Sequence, residues 1–321
     1  MSMDDEGRGA SMDGVRVVVL THGTAGEYGP LLDSLQHDGM GLDHVVVVHN
    51  PSAPGEPPPP VPEGCELISA ERNLGYTGGM NLGIERLLGR DGDLLLVLTH
   101  DARFRPGALR ALVGAARRNP SFGVLGPALV HQGTNDPFSF GGLTRVNGER
   151  AHIRERPDSD GEVAPCDWID GGTMLFRVDL LRRIGGFDKR FFIYCEDAEI
   201  CLRATRAGLG VGVVSDALAE QAPGGAKRLG PWSYLMTRNG AAYTYRARGW
   251  RGLAHALAAA ARIVAFNLLR TVARGLGLRG GSPAEPWTLA VGTAGGMLAL
   301  LTRRWGPPPA RLPGSGDVKN A

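Results

Sequence analysis

The chain has 321 residues, 43% hydrophobic and 21% charged. That length admits one large domain or two modest ones, and the composition excludes a disordered chain. The 35 Lys and Arg nearly balance the 33 Asp and Glu, so binding of nucleic acid by bulk charge is not expected. Four cysteines with no CxxC pair exclude a disulfide framework and a thiolate zinc site.

Residues 1–14 are polar and acidic, read as a disordered tail without a secretory pattern. Apolar runs at 15–20, 44–48 and 94–98 alternate with helix-compatible stretches at 29–38 and 79–89. This alternation predicts an α/β domain with a largely parallel sheet, whose ligands bind beyond the carboxyl ends of the strands. Residues 51–64 hold seven of the 22 prolines and read as a polyproline-like spacer. A helix is expected over 106–118, with Pro106 at its start. Runs at 122–130 and 172–178 extend the sheet, and 131–165 reads as a variable loop or small hairpin. No stretch of about 20 uninterrupted apolar residues is present, so no membrane span is expected. Segments 252–276 and 288–305 read first as packed helices. Their arginine-flanked stripes also suit an anionic membrane surface. Residues 306–321 read as a second disordered tail.

Polar side chains gather at the strand ends: Thr21-His22-Gly23, His49-Asn50 and Thr99-His100-Asp101. The segment ERNLGYTGGMNLGIERLL (71–88) offers Gly75, Gly78, Gly79 and Gly83 for a tight turn into a helix. Such a turn can hold a phosphate at the helix start or merely cap the helix; the spacing is not the dinucleotide GxGxxG. Asp101 suits a hard cation, Mg²⁺ or Mn²⁺, bridging phosphates, or a turn cap. Farther on, an amphipathic helix over 179–184 ends at Gly185-Gly186. Phe187, Phe191, Phe192 and Tyr194 then precede Glu196-Asp197-Ala198-Glu199, at the start of a helix over 196–206. The dipole there favours ionised carboxylates. Glu199 reads as a first-turn capping group with Arg203 at i,i+4; Asp197 can cap or act as a general base.

Taken in order, these segments resemble the family 2 glycosyltransferases: GT-A fold, inverting, in the style of bacterial rhamnosyltransferases. NLGYTGGMNLG (73–83), LVLTHDARF (96–104), GGTMLFRVDLLRRIGGFDKRFFIYCEDAEICLRATRAG (171–208) and YLMTRNG (234–240) carry the resemblance, which covers about residues 15–305. It implies a nucleotide-diphospho-sugar transferase fold, with a mixed sheet flanked by helices and a C-terminal helical extension. The catalytic domain would span 15–248, its nucleotide-sugar part 15–130 and its acceptor part 131–248, followed by helices over 249–305. The resemblance further implies that Asp101 contacts the cation and diphosphate. Asn73, Gly75 and Asn81 would line the donor pocket, with Thr21 and Asn50 near the nucleotide. Trp168, Asp170 and Gly172 would shape the acceptor entrance. Asp197 would be the base, supported by Glu196, and Arg238 would neighbour the diphosphate. The donor would be a nucleoside diphosphate sugar, such as dTDP-rhamnose or a UDP-sugar. The acceptor would be a glycan, a lipid-linked glycan or a small metabolite. The implied location is cytoplasmic, or the inner membrane face with peripheral contact through the C-terminal helices.

Three positions depart from the family pattern. His49-Asn50 replaces Asp-Asn. Thr99-His100-Asp101 leaves one carboxylate where the family has DxD. No histidine lies between His152 and His255; Gln221 stands about where a metal-binding His is usual. The expectation is therefore weak or partial metal dependence, with His100 as a substitute ligand or Lys227 or Arg228 neutralising the diphosphate. Two alternatives are a nucleotidyltransferase of similar fold and a degenerate, non-catalytic scaffold. The first is disfavoured because THGTAGEYGP (21–30) has no basic residue, the second because Glu196-Asp197 is intact.

Overall fold

The computed structural model describes residues 10–23, 28–158, 162–221 and 230–313. The first half alternates strand and helix: β1 (Val15–His22), α1 (Gly29–His37), β2 (Val45–Asn50), β3 (Glu66–Ser69), α2 (Gly75–Leu88), β4 (Leu94–Thr99), β5 (Ala102–Phe104) and α3 (Ala108–Arg118). Then come β6 (Phe122–His131), β7 (Pro137–Ser139), β8 (Gly142–Thr144), β9 (Arg150–His152), β10 (Ala164–Pro165), β11 (Thr173–Arg177), α4 (Val178–Ile184), α5 (Glu196–Arg206), β12 (Gly210–Gln221), α6 (Gly230–Gly275) and α7 (Ala284–Leu301).

Two units divide the chain. The first comprises Met1–Leu143, Ala151–Phe187 and Asp197–Pro223. Its main sheet runs β10-β12-β6-β11-β4-β1-β2-β3, with β5 on β12 and β7 on β6. β1 pairs parallel with β2 and β4, whereas β11 inserts antiparallel between β4 and β6. Val17, Val19, Val45, Val47, Leu96 and Leu98 are almost wholly buried. Covered on both faces, the central strands read as unbroken apolar runs. The stretch 131–165 supplies β7, the β8–β9 hairpin and β10.

Two boundaries move for physical reasons. α2 begins at Gly75, four residues before its expected start, so Gly78, Gly79 and Gly83 lie inside the helix. They serve close packing rather than a turn. A Cβ at Gly83 would sit 2.4 Å from Val18 Cγ1, and one at Gly79 would sit 2.5 Å from Leu20 Cδ1. Gly75, with φ of 70°, makes the turn itself. α3 begins at Ala108, not Pro106, because the distant Asp38 carboxylate accepts from Gly107 N (2.6 Å) and Leu109 N (2.8 Å).

The second unit comprises Thr144–Arg150, Asp188–Glu196 and Gly224–Ala321. α6 is two helices merged across Gly249, whose φ of 65° and ψ of −154° break the spiral. Small residues let α7 approach it: a Cβ at Gly296 would meet Tyr234 O at 2.4 Å. α6 contains an 18-residue window of mean hydropathy 1.5 and is long enough to cross a membrane by length and composition. Only 17% of that window is buried, so core packing, the first reading of these residues, does not account for its outer face.

Candidate active site

In the first unit the carboxyl ends of β1, β2 and β4 meet. Asn50 closes β2 and ties down the start of α2. Its Oδ1 accepts from Leu74 N (2.8 Å), and its Nδ2 donates to Asn73 Oδ1 (3.1 Å). Asn73 Oδ1 also accepts from Gly75 N (2.8 Å). Thr21 is buried, its hydroxyl on Val48 O (3.4 Å). Asn81 is 4% exposed, and both ends of its amide bind the Phe187 backbone, at 2.7 and 2.8 Å. It holds the chain after α4. His49 is 1% exposed, and neither ring nitrogen has a partner among the described residues.

β4 delivers Thr99, His100 and Asp101 to this crevice, the latter two half-buried in the turn before β5. Gln221, the last residue of β12, pairs with Ala102, next to Asp101. Lys227 and Arg228 lie outside the described residues. The chain then crosses the crevice as Asp170-Gly171-Gly172. Thr99 N donates to Gly172 O (3.1 Å). A Cβ at Gly172 would sit 2.6 Å from Gln221 Nε2 and 3.3 Å from Thr99 Oγ1. A Cβ at Gly171 would lie 3.4 Å from Tyr76 Oη and 3.5 Å from Asp197 Cβ, and Tyr76 Oη donates to Gly171 O. A two-glycine strip therefore has Asp197 on one flank and Thr99 with Gln221 on the other.

Asp197 Oδ1 accepts from Ala198 N (2.7 Å) in the first turn of α5. Two turns of that helix are anchored by Glu199, which is 1% exposed and accepts from Arg203 Nε at 2.9 Å. Arg203 also donates to Ile184 O (2.7 Å) and Gly186 O (2.8 Å). The i,i+4 pair read from the sequence thus fastens α5 to the end of α4. Asp170 accepts from Ser139 Oγ (2.6 Å), and His152 Nδ1 lies 3.1 Å from that hydroxyl and 3.6 Å from Asp170 Oδ1. Burial raises the Asp170 carboxyl above its usual range, and the nearby Asp197 adds to the rise, while His152 and Ser139 oppose it. Trp168 is 3% exposed, beneath Gly142 and edge-on to His152 at 4.9 Å. It can shape an acceptor entrance only from below. Burial pushes the Cys166 thiol up to about 12 and raises Cys65 and Cys201 as well, which makes these three poor nucleophiles.

Arg238 corrects the sequence expectation. It is fully buried in the second unit, with guanidinium nitrogens on Gly306 O (2.7 Å), Phe191 O (3.2 Å) and Asn239 Oδ1 (2.9 Å). Burial lowers its pKa. A guanidinium enclosed by carbonyls and the Tyr234 and Trp305 rings has no free edge for a diphosphate. Its neighbour Asn239 donates to Phe191 O (2.7 Å), Ile193 O (2.8 Å) and Tyr194 O (2.9 Å). This pair holds a loop in which Phe192, Tyr194 and Cys195 all have positive φ, 66°, 72° and 69°. Such strain persists only where surrounding bonds over-determine it. The loop leads by sequence into Glu196, which is 5% exposed, and Asp197. Sequence reasoning missed His152 and Ser139, because no local spacing marks them; Asn239 entered only as part of YLMTRNG (234–240), without a role of its own.

The donor set suits one mode of cation binding only. Among the described residues, no group of three His, Cys, Asp or Glu could enclose a metal. One carboxylate, Asp101, completed by phosphate oxygens of a substrate, fits Mg²⁺ or Mn²⁺; a cage built of protein alone does not.

A mixed sheet of this order, with its crevice at the strand ends, is the GT-A glycosyltransferase fold. Two solved structures share it: GalNAc-T7 with UDP, GalNAc and Mn²⁺ (TM-score 0.53, 12% identity, 70% of this chain and 48% of that longer one), and the mannosyltransferase PcManGT from Pyrobaculum calidifontis with GDP-Man and Mn²⁺ (TM-score 0.50, 15% identity, 91% and 88%). The profile described as "Glycosyl transferase family group 2" matches residues 94–298, and the chain belongs to that family. It is a glycosyltransferase, which removes the nucleotidyltransferase alternative. Its relatives include the N-acetylglucosaminyl-diphospho-decaprenol L-rhamnosyltransferase of Mycobacterium tuberculosis, 29% identical over 64% of this chain and 76% of that one. The galactofuranosyltransferase GlfT1 of the same species is 27% identical over 74% and 82%.

Proposed function

We propose that this enzyme transfers a sugar, with inversion, from a nucleoside diphosphate to a hydroxyl of a lipid-linked glycan. The Gly171-Gly172 strip, with Asp197 on one flank and Thr99 and Gln221 on the other, carries the reading. It brings a base and the side chains of the diphosphate pole to consecutive positions along one strip. Asp197 takes the proton from the acceptor hydroxyl as its oxygen bonds to the anomeric carbon. The bond from that carbon to the diphosphate breaks, and the nucleoside diphosphate leaves with the electron pair. Mg²⁺ or Mn²⁺, held by Asp101 and phosphate oxygens, would offset charge on that leaving group. Gln221, in place of a charged or metal-binding residue, makes the cation requirement partial. His49-Asn50, in place of the family's Asp-Asn, alters base or ribose recognition. The rhamnosyl relative supports rhamnose as the sugar and a diphospho-polyprenol glycan as acceptor.

A lipid-linked acceptor calls for work at a membrane. The second half of α6 exposes Phe266 (57%), Leu269 (70%) and Val272 (58%) beside Arg262 and Arg270. This face suits an anionic leaflet, where each basic residue adds about 1 kcal/mol. The free state of all four cysteines accords with the cytoplasmic side.

A thermal-shift panel of UDP, dTDP, GDP and CMP, each with and without Mn²⁺, tests the donor site. One diphosphate at 100 times its dissociation constant adds about 2.7 kcal/mol of stability. Asp197→Asn retains that shift and loses transfer by about 10²–10⁴-fold. Cellular function unchanged in Asp197→Asn would favour the scaffold reading instead.

A further inference from the structure

Within the second unit, two adjoining hollows open along α6. The outer one, about 670 Å³, lies between the tip of the β8–β9 hairpin and the helix just past the Gly249 break. Its wall carries Arg145, Arg248, Arg251 and His255, with no acidic residue among the described residues. Arg145 pairs with the exposed Glu149 at 3.0 Å, and Arg248 donates to Thr144 O (3.1 Å). Among the described residues, neither Arg248 nor Arg251 has a carboxylate partner. Val146, 92% exposed, stands at the same rim.

The inner hollow, about 540 Å³, shares Asn147 and His255 with the outer one, and these two side chains lie 3.3 Å apart. It runs between the two halves of α6 and α7. Trp232, Met236, Ala259, Ile263 and Leu289 make it largely apolar, while Glu149, already paired with Arg145, and Arg262 also line it. Asn267 also lines it. That residue is 5% exposed, and its Oδ1 has no partner among the described residues, while its Nδ2 donates to Ile263 O (2.9 Å).

A cationic mouth continuous with an apolar trough is the complement of one kind of molecule: an anionic phosphate head on a hydrocarbon tail. Both volumes fall in the range of small-molecule sites. We infer that this double hollow binds the lipid diphosphate portion of the acceptor, with Arg248, Arg251 and His255 on the diphosphate and the first isoprene units in the trough. The assignment rests on the lipid-linked acceptor reading and adds to it the place on this chain where the lipid is held. A polyprenyl source is favoured over a bilayer phospholipid because the hollow pairs one narrow trough with several cations, matching one chain and two phosphates.

Titration calorimetry of the full chain with farnesyl diphosphate tests this. Micromolar binding is expected, at least tenfold tighter than inorganic diphosphate or farnesol. Arg251→Glu, an exposed position where folding is not at stake, weakens binding at least tenfold. Ala259→Trp, which fills the trough, does the same with inorganic diphosphate binding unaltered. Retained farnesyl diphosphate binding in both variants overturns the assignment. Equal binding of dihexanoyl phosphatidylglycerol, with the same sensitivity to both variants, also overturns it in favour of a bilayer lipid. The nucleotide thermal shift, measured on the same samples, separates the two readings. A chain that shifts with nucleotide but ignores farnesyl diphosphate overturns the lipid site alone. A chain that binds the lipid diphosphate with the expected variant losses, yet shifts with no nucleotide, supports the lipid site and removes the donor reading.

Discussion

Asn239→Ala probes the loop that leads into Glu196 and Asp197. Its two amide N–H groups are shared among Phe191 O, Ile193 O and Tyr194 O, at 2.7, 2.8 and 2.9 Å. Their removal forfeits about 2 kcal/mol at roughly 1 kcal/mol per net hydrogen bond. Opposing them is backbone strain at Phe192, Tyr194 and Cys195, about 1–3 kcal/mol each for a non-glycine residue at positive φ. With Asn239 truncated, the carbonyls of Ile193 and Tyr194 lose the amide that ties them to α6, and strain of about 3–9 kcal/mol exceeds what the contacts of Arg238 to Phe191 O and Arg190 O and of Arg150 to Cys195 Sγ return. The loop relaxes and carries the start of α5 with it. A misplacement of about 1 Å lowers turnover by on the order of 10²-fold. The assay is release of nucleoside diphosphate at saturating acceptor, scaled to the folded fraction. A fall in kcat with donor KM unchanged is expected. A lowered melting temperature with kcat per folded molecule intact would refute the reasoning, because the clamp would then be structural only.

Gly83→Ala places a methyl 2.4 Å from Val18 Cγ1 and destabilises the fold by about 1–3 kcal/mol, read as a lower denaturation midpoint. An unchanged midpoint would show that α2 can lift off β1 freely. Asp170→Asn tests the buried carboxyl. Because its folded pKa lies above 3.8, the folded chain keeps a proton that the unfolded chain has lost, so stability falls as pH rises from about 3.8 to the raised value. The variant therefore gains stability relative to the parent across that window in pH-dependent melting; a constant difference would contradict the burial argument. Chelation with EDTA is expected to slow transfer without abolishing it, and complete loss restored by Mn²⁺ would count against a partial cation requirement. Phe266→Glu with Leu269→Glu should release the chain from phosphatidylglycerol vesicles in sedimentation, and retained binding would remove the outer face of α6 from the membrane contact.

Local sequence determined the alternation of β1, α1, β2, α2 and β4, because strands buried on both faces must be apolar throughout and so announce themselves as unbroken runs. It also determined that Glu196 and Asp197 open a helix and that Glu199 meets Arg203, since both follow from helical spacing alone. Tertiary structure decided the rest. Gly79 and Gly83 look like turn residues until β1 is seen pressing on α2 at Leu20 and Val18. Ser139 and His152 reach Asp170 only because the β7 and β9 segments fold back on the sheet, contacts separated by 31 and 18 positions in sequence, as read from the residue numbers. Arg238 reads as an anion-binding cation by charge, yet its donors end on Gly306 and Phe191, far away in sequence. A side chain's type limits the bonds it can make; which partner it meets is set by long-range packing, and periodicity carries no record of that.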